Sequence, residues 1–163
     1  MLSIRLRGVL EKTIHETQSA FVEGRQILDS VLIANETVED YRCKGKSGLV
    51  LKIDFEKAYD RVDWNFLDLV LCKKGFGVTW RKWINKCLSS TSFSVFINGR
   101  PRGKFSCSRG LRQGDPLSPF MFTLVADVLG RMVVKAVSSG NFSGFEVGKE
   151  KVHISHLQFA DDT

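Results

Sequence analysis

Acidic side chains follow two apolar segments of the chain, at positions where a carboxylate is costly to bury. Asp54 lies near the end of the aliphatic run 48–55, and Asp161 and Asp162 come directly after the extended segment 152–159. Carboxylates beside core residues need an ion-pair partner, hydrogen bonds or a bound cation. Two-metal phosphoryl transfer needs carboxylates from separate strands that converge on ions roughly 3.5–4 Å apart. The acids are therefore candidate metal ligands, although each site alone also fits a helix cap or a solvated turn.

Helices are predicted around the first acidic site. Residues 1–46 are basic and carry apolar residues at helical spacing. Asp63 is a predicted N-cap of a helix that continues through Lys74, and Thr79 is a predicted cap of a second helix over 80–88. In the sequence, the segment that carries the first carboxylate lies between the basic helical region and these two helices.

Strand patterns indicate the fold class. The run 48–55 is typical of a mostly buried strand. Asn98-Gly99 predicts a hairpin in which 93–97 pairs with 103–107. A polar, glycine-rich loop then leads to a long amphipathic helix over 116–137. Helices mixed with partly antiparallel strands predict an α+β fold rather than a doubly wound parallel sheet.

Length, composition and charge narrow the function classes. A chain of 163 residues with 43% hydrophobic and 26% charged residues suits one soluble domain without a membrane span. The formal charge of +6 favours a polyanionic partner, although a basic globule with a solvated surface is the commoner outcome for such a composition. The four cysteines stand singly and without zinc-ligand spacing, and no signal peptide is evident. We therefore expect free thiols in a reducing, intracellular compartment.

Several segments resemble motifs of one enzyme family and follow the family's order. Residues 52–64, KIDFEKAYDRVDW, resemble the first catalytic motif of reverse transcriptases of non-LTR retrotransposons. The second motif resembles residues 110–119, GLRQGDPLSP, and the third resembles residues 159–162, FADD. Residues 18–29 resemble the fingers segment, in the form common in plant LINE-type elements. The resemblance covers nearly the whole chain.

The resemblance implies the fingers and palm of a right-hand polymerase, with a small antiparallel palm sheet packed on helices. Residues 1–47 would form part of the fingers, and residues 48–163 would form mainly the palm. The family continues beyond the paired aspartates with the rest of the palm and a thumb. We therefore expect a partial domain that lacks the thumb, and the sequence leaves open whether such a fragment is active.

The implied reaction is RNA-directed DNA synthesis, in which deoxynucleotides are added to a primer 3′-hydroxyl. Asp54 and Asp161 would be the principal ligands of two Mg²⁺ ions and would share one ion shell, and Mn²⁺ is the alternative metal. Asp162 would complete the acidic cluster, and the Phe55 carbonyl would also contact metal. Magnesium suits such a site because it prefers hard oxygen ligands and shares its shell with substrate phosphates.

The resemblance also implies substrate contacts. Tyr59 would lie under the sugar ring and exclude a 2′-hydroxyl, with a purely packing aromatic as the alternative. Gln113 and Gly114 would hold the incoming nucleotide and template, since glycine permits close backbone approach and the glutamine amide both donates and accepts. Arg25 would face the triphosphate or the template, although a surface arginine is the commoner outcome.

The implied partners are an RNA template, a DNA primer or target, and deoxynucleotides, with no membrane. An expressed copy would be nuclear, and the sequence leaves its oligomeric state open. A second hypothesis is a non-enzymatic, basic nucleic-acid-binding remnant of a retroelement. A third is an RNA-templated RNA polymerase of the same palm class, against which the aromatic ring of Tyr59 argues.

Overall fold

The structure, a computed structural model, describes all residues from Met1 to Thr163. Its strands form two separate two-stranded antiparallel sheets, β1–β2 and β3–β4. The predicted α+β class is therefore confirmed. In chain order the elements are α1 (Leu2–Thr13), α2 (Ile27–Cys43), α3 (Trp64–Lys73), α4 (Val78–Ser89), β1 (Ser92–Ile97), β2 (Arg100–Ser106), α5 (Ser118–Ser138), β3 (Phe145–Val147) and β4 (Val152–Ile154).

Local capping explains where α3 and α4 begin. The Asp63 carboxylate accepts a hydrogen bond from the Phe66 N–H at 2.8 Å, so the predicted N-cap of α3 is confirmed. The prediction that Thr79 caps α4 is wrong, because the N-cap is Gly77 and Thr79 lies inside the helix. The Gly77 carbonyl accepts the first intrahelical bond, from the Arg81 N–H at 3.1 Å. The helix thus starts as soon as the chain has turned out of α3.

Asn98 and Gly99 form the predicted hairpin turn between β1 and β2. Both have positive φ, 51° and 74°, as a two-residue type I′ turn requires. Because the loop is only two residues long, β2 starts at Arg100 and Ile97 pairs with Arg100. The prediction that 93–97 pairs with 103–107 is therefore wrong in register, because the partner strand begins at Arg100.

The prediction of a buried strand over 48–55 is wrong. Residues 49–51 are between 66% and 85% exposed, and the segment forms no regular strand. Only its end is paired, where Ile53 and Thr163 exchange backbone hydrogen bonds of 2.7 and 2.9 Å. An aliphatic run can form a strand only beside a neighbour that completes its ladder, and no strand pairs with residues 48–52.

Helix α5 lies in the centre of the core. It begins at Ser118, with Pro119 in its first turn, and packs against α1 and α3. Most residues of its middle turns are buried, and they include a charged residue, Asp127. Met132 is mostly exposed, although the apolar stripe predicted it to face inward. The largest fully buried apolar side chains are Leu6, Leu10, Leu67, Leu71, Ile84, Met121 and Leu124.

Much of the molecule is exposed, because only 24 of the 163 residues are buried. The hairpin β1–β2 and much of α2 therefore face solvent. None of the helices has the length and apolarity needed to cross a lipid bilayer.

Candidate functional site

A tight turn presents the paired aspartates. The backbones of Phe159 and Asp162 exchange hydrogen bonds of 2.8 and 3.0 Å, which leaves Ala160 and Asp161 at the tip of the turn. Ala160 has φ 54°, a left-handed conformation that costs a non-glycine residue roughly 1–2 kcal/mol. Such strain persists only where surrounding contacts fix the backbone. The turn is therefore held firmly, with Asp161 at its tip.

The first acidic segment pairs with this turn. Asp54 forms an antiparallel bridge with Asp162, next to the hydrogen bonds between Ile53 and Thr163. Residues directly opposite each other in an antiparallel pair lie roughly 4.5–5.5 Å apart at Cα. The structure thus brings Asp54 and Asp162 side by side, with Asp161 as the neighbour of Asp162 at the turn tip.

The donor chemistry of these acids fits hard divalent cations, which prefer carboxylate oxygens. The three carboxylates do not, however, form a group that could hold an ion in the present arrangement of side chains. The Lys52 ammonium lies 3.2 Å from a carboxylate oxygen of Asp162, in a largely exposed ion pair. That the three acids ligate metal therefore remains a prediction, as does the contact of the Phe55 carbonyl with metal.

Tyr59 lies between the core and the acidic turn. Its ring stacks on Phe122 of α5, with ring centres 4.9 Å apart and planes within 15°. Burial and, to a lesser degree, the negative charge of Asp161 raise the pKa of the Tyr59 phenol. The phenol is therefore neutral at physiological pH, and its ring packs against α5 through Phe122.

The glycine-rich loop is tied to the segment that carries Asp54. The Gly110 N–H donates to the Val62 carbonyl at 2.7 Å, and the Leu111 N–H donates to the Tyr59 carbonyl at 2.8 Å. The Trp64 indole N–H donates back to the Gly110 carbonyl at 2.7 Å. These bonds join the first and second motif segments into one unit.

Two glycines of this loop have different surroundings. Gly110 has φ 87°, and a Cβ there would lie 2.9 Å from the Asp60 carbonyl oxygen. Gly114 has φ 85°, but a Cβ there would meet no atom within 4 Å. Gln113 and Gly114 are both exposed, so they are open to a ligand, and their contact with nucleotide or template remains a prediction.

Arg25 organises the chain that follows α1. One guanidinium nitrogen donates to the carbonyls of His15 and Gln18, each at 2.6 Å, and the other donates to the Ile14 carbonyl at 3.3 Å. The side chain is half-buried and holds the loop between α1 and α2 in shape. Its predicted contact with the triphosphate or template is not tested by this geometry.

Two buried glutamines brace the acidic turn, a role that the sequence did not reveal. The Gln18 side-chain oxygen accepts from the N–H groups of Ala20, at 2.9 Å, and Ala160, at 3.1 Å. The Gln158 amide donates to the Ala126 carbonyl at 3.2 Å. Neither glutamine is more than 1% exposed. Nothing in the sequence distinguishes a buried glutamine from an exposed one, so only the fold identifies them.

The fully buried carboxylate of Asp127 joins α1, α3 and α5. It accepts hydrogen bonds from the Lys74 ammonium at 2.5 Å, the Arg131 guanidinium at 2.6 Å and the His15 N–H at 2.7 Å. Burial on its own raises the pKa of Asp127, but these donors together outweigh it and hold the pKa below the usual range. The interruption of an apolar helix by Asp127 and Arg131 was the only sequence signal for this cluster.

A histidine pair lies close to this cluster. The Thr17 hydroxyl is 2.9 Å from the His15 ring and 2.8 Å from the His156 ring, and the two rings stack. Burial and the neighbouring His15 lower the pKa of His156. The arrangement packs the loop after α1 against the segment that leads into the acidic turn.

The fold is that of a polymerase fingers and palm. The structure matches apo telomerase from Candida tropicalis, truncated from its C-terminal domain, with a TM-score of 0.63 and 15% sequence identity. The match covers 99% of this chain and 32% of the telomerase chain. At this identity the likeness shows the fold alone.

Sequence comparison identifies the family. Residues 1–163 match the family model described as reverse transcriptase (RNA-dependent DNA polymerase), so this chain belongs to the reverse transcriptase family. This confirms the resemblance of its motifs to those of non-LTR retrotransposons, since the relatives include Pol polyproteins of such elements.

Three curated relatives show the range of similarity. A Pol polyprotein from the type-1 retrotransposable element R2 of Popillia japonica is 29% identical over 163 residues, or 99% of this chain and 22% of that protein. An uncharacterised 149 kDa protein of transposon TX1 from Xenopus laevis is 35% identical over 126 residues, which cover 77% of this chain and 10% of that protein. An uncharacterised mitochondrial protein of Arabidopsis thaliana is 49% identical over 67 residues, which cover 41% of this chain and 55% of that protein. This chain therefore spans between about a tenth and just over half of these relatives.

Proposed function

We propose that this chain provides the fingers and palm of an RNA-directed DNA polymerase, which adds deoxynucleotides to a primer 3′-hydroxyl on an RNA template. The observation that carries the proposal is the bridge between Asp54 and Asp162, with Asp161 at the tip of the adjoining turn. The bridge places the backbones of acids far apart in the sequence side by side, and two-metal phosphoryl transfer requires carboxylates from separate strands. A nuclear location, where a DNA target is available, is part of the same proposal.

Asp54, Asp161 and Asp162 would hold the divalent ions, Mg²⁺ or Mn²⁺, together with the Phe55 carbonyl. When bound, such ions neutralise charge on the substrate phosphates and on the attacking and leaving oxygens. The protein's own contribution would be to position the acids, and the backbone bridge and the strained Ala160 turn support this because they fix the backbones of these residues. Before ions bind, the Lys52 ammonium forms an ion pair with the Asp162 carboxylate.

The substrate would lie between Tyr59 and the loop 112–114. The Tyr59 ring is fixed against Phe122 and cannot swing away readily, so it suits a steric test of the sugar. The exposed Gln113 amide can donate to and accept from a nucleotide, and Gly114 leaves room for close backbone approach. Templated synthesis on RNA rests on the family and on these placements together.

A second candidate, a nucleic-acid binder without polymerase activity, is favoured by one observation. The three carboxylates do not converge as a ligand group, and Lys52 already pairs with Asp162. A chain of this kind would bind RNA or DNA through its basic residues and would not depend on Asp54.

Primer extension on an RNA template, combined with Mn²⁺ binding measured by electron paramagnetic resonance, separates the two candidates. We expect the wild-type chain to bind Mn²⁺ and incorporate deoxynucleotides, and Asp54→Asn to lose both. Asp29→Asn, which neutralises an exposed acid on α2, is the matched control and should retain both. If Mn²⁺ binding and incorporation are absent from the wild type, or survive Asp54→Asn, the polymerase proposal is wrong.

A further inference from the structure

The positive charge of this chain is concentrated in one segment. Between Asp68 and Asp115 the sequence contains ten Lys and Arg residues and no Asp or Glu. Since the net charge of the whole chain is +6, the remainder of the chain is net acidic. Such an uneven distribution creates a local field that attracts polyanions.

The β1–β2 hairpin carries three of the unpaired positive charges of this segment. All its strand residues except Phe93 are exposed. Arg100, Arg102 and Lys104 form no ion pair, whereas Lys74 and Arg81 in the same segment pair with acids. The three hairpin cations therefore remain available to an external partner.

One face of the hairpin combines cations with aromatic rings. Phe93 pairs with Phe105, Val95 with Arg102, and Ile97 with Arg100, and cross-strand partners point to the same side. The rings of Phe93 and Phe105 stack, with centres 5.8 Å apart. The two stacked phenylalanines and the arginines Arg100 and Arg102 therefore lie on the same face of the hairpin.

This face opens into a cleft beside the glycine-rich loop. Phe93 and Phe105 line an open cleft of about 680 Å³ together with Arg109, Arg112 and Gln113. Arg109 and Arg112 form no ion pair, but two carboxylates, Asp60 and Asp115, also line the cleft, so the excess positive charge lies on the adjoining hairpin. Stacking rings beside the unpaired cations of the hairpin are the arrangement that single-stranded nucleic acids favour.

We propose that this cleft and the arginine face of the hairpin bind a single-stranded segment of nucleic acid. Bases would stack on Phe93 and Phe105, and phosphates would contact the hairpin cations Arg100, Arg102 and Lys104 and the two cleft arginines. The inference deepens the proposed function, because it leads a single strand to the loop that carries Gln113. A duplex would not offer unstacked bases to the two rings.

The electrostatic part is tested by equilibrium binding of oligo-U, oligo-dT and a duplex over a series of salt concentrations. Removing three phosphate contacts in the triple variant Arg100→Gln, Arg102→Gln, Lys104→Gln should reduce the slope of log affinity against log salt by about 2 for single strands. The control triple variant Lys135→Gln, Lys149→Gln, Lys151→Gln removes equal charge from exposed positions outside the segment and should leave the slope unchanged. Equal changes in both triple variants would contradict a specific surface.

The stacking part is tested by a pair of variants on opposite faces of the same hairpin. Phe105→Leu should weaken single-strand binding about tenfold, with the salt slope and duplex binding unchanged. Phe96→Leu alters a more exposed ring that pairs with Pro101 on the other face, and should have little effect. If both variants weaken binding equally, or duplex binding falls as much as single-strand binding, the proposal is overturned. The oligo-U and oligo-dT series show whether RNA or DNA is preferred.

Failure of this proposal is distinguishable from failure of the polymerase proposal. Asp54→Asn should abolish incorporation while leaving single-strand affinity unchanged, because Asp54 lies outside the cleft and the hairpin. If the wild type incorporates nothing but both hairpin tests succeed, the binding surface stands and the polymerase proposal fails. If incorporation occurs and the hairpin variants bind like the wild type, the polymerase proposal stands and the binding-surface proposal fails.

Discussion

The side-chain oxygen of Gln18 accepts a hydrogen bond from the backbone N–H of Ala160 at 3.1 Å, across 142 positions of sequence. The same oxygen accepts from the Ala20 N–H, and Gln18 is completely buried. One amide thus fixes the loop after α1 against the turn that presents Asp161. The strained φ of Ala160 is maintained in part by this contact.

Replacing Gln18 with Met should therefore destabilise the protein and loosen the acidic turn. Methionine preserves approximate volume but leaves two buried N–H groups unpaired, at a cost of about 1–3 kcal/mol for a single group. Urea unfolding measures the free energy, and amide hydrogen exchange should show lost protection at Ala160. Gln26→Met, at an exposed position, is the control and should change the free energy by less than about 0.5 kcal/mol. Equal effects of the two substitutions would show that Gln18 does not brace the turn.

Two features that depend on neighbouring residues were predicted from the sequence, although a third, the Thr79 cap of α4, was predicted wrongly. The Asp63 cap and the Asn98-Gly99 turn are decided within a few residues, so their sequence signals were sufficient. The aliphatic run 48–55 failed as a strand because pairing requires a distant partner.

The site shows the same division between local and distant information. The motifs indicated Asp54, Asp161 and Asp162 through their resemblance to a family, and their convergence follows from the bridge that the fold creates. The roles of Gln18 and Asp127 depend on partners more than 50 positions away, such as Lys74 for Asp127. Single-sequence patterns contain no information on such pairs.

The two glycines of the loop provide a matched test of backbone strain and close packing. Ala at Gly114 should cost about 1–2 kcal/mol, because φ is positive and no atom obstructs the new methyl group. Ala at Gly110 should cost more, because the same strain is joined by a contact with the Asp60 carbonyl at 2.9 Å. Thermal or urea unfolding of the two variants checks the order. A Gly110→Ala protein as stable as Gly114→Ala would show that the first two motif segments are not tightly joined there.

The buried Asp127 carboxylate should make stability depend on acidic pH. Its pKa lies below the unfolded value of 3.8, so its stabilisation is complete above that value and is lost as the pH falls through the lower folded pKa. Asp127→Asn leaves Lys74 without its charged partner and should cost about 3–5 kcal/mol at neutral pH. Urea unfolding from pH 7 downward should show this difference shrinking below pH 3.8. A difference that stays constant with pH would contradict the ion pair.

Tyr59 should set the sugar preference of the proposed polymerase. Its ring is clamped by Phe122 and lies near Asp161, so a 2′-hydroxyl approaching the acids would meet the ring. Tyr59→Ala should raise incorporation of ribonucleotides relative to deoxynucleotides by at least about tenfold, equivalent to about 1.4 kcal/mol. Tyr59→Phe keeps the ring and should keep the preference. The ratio of the two rates, measured on one primer and one RNA template, does not depend on how much of the variant folds. An unchanged ratio in Tyr59→Ala would make the residue a packing aromatic only.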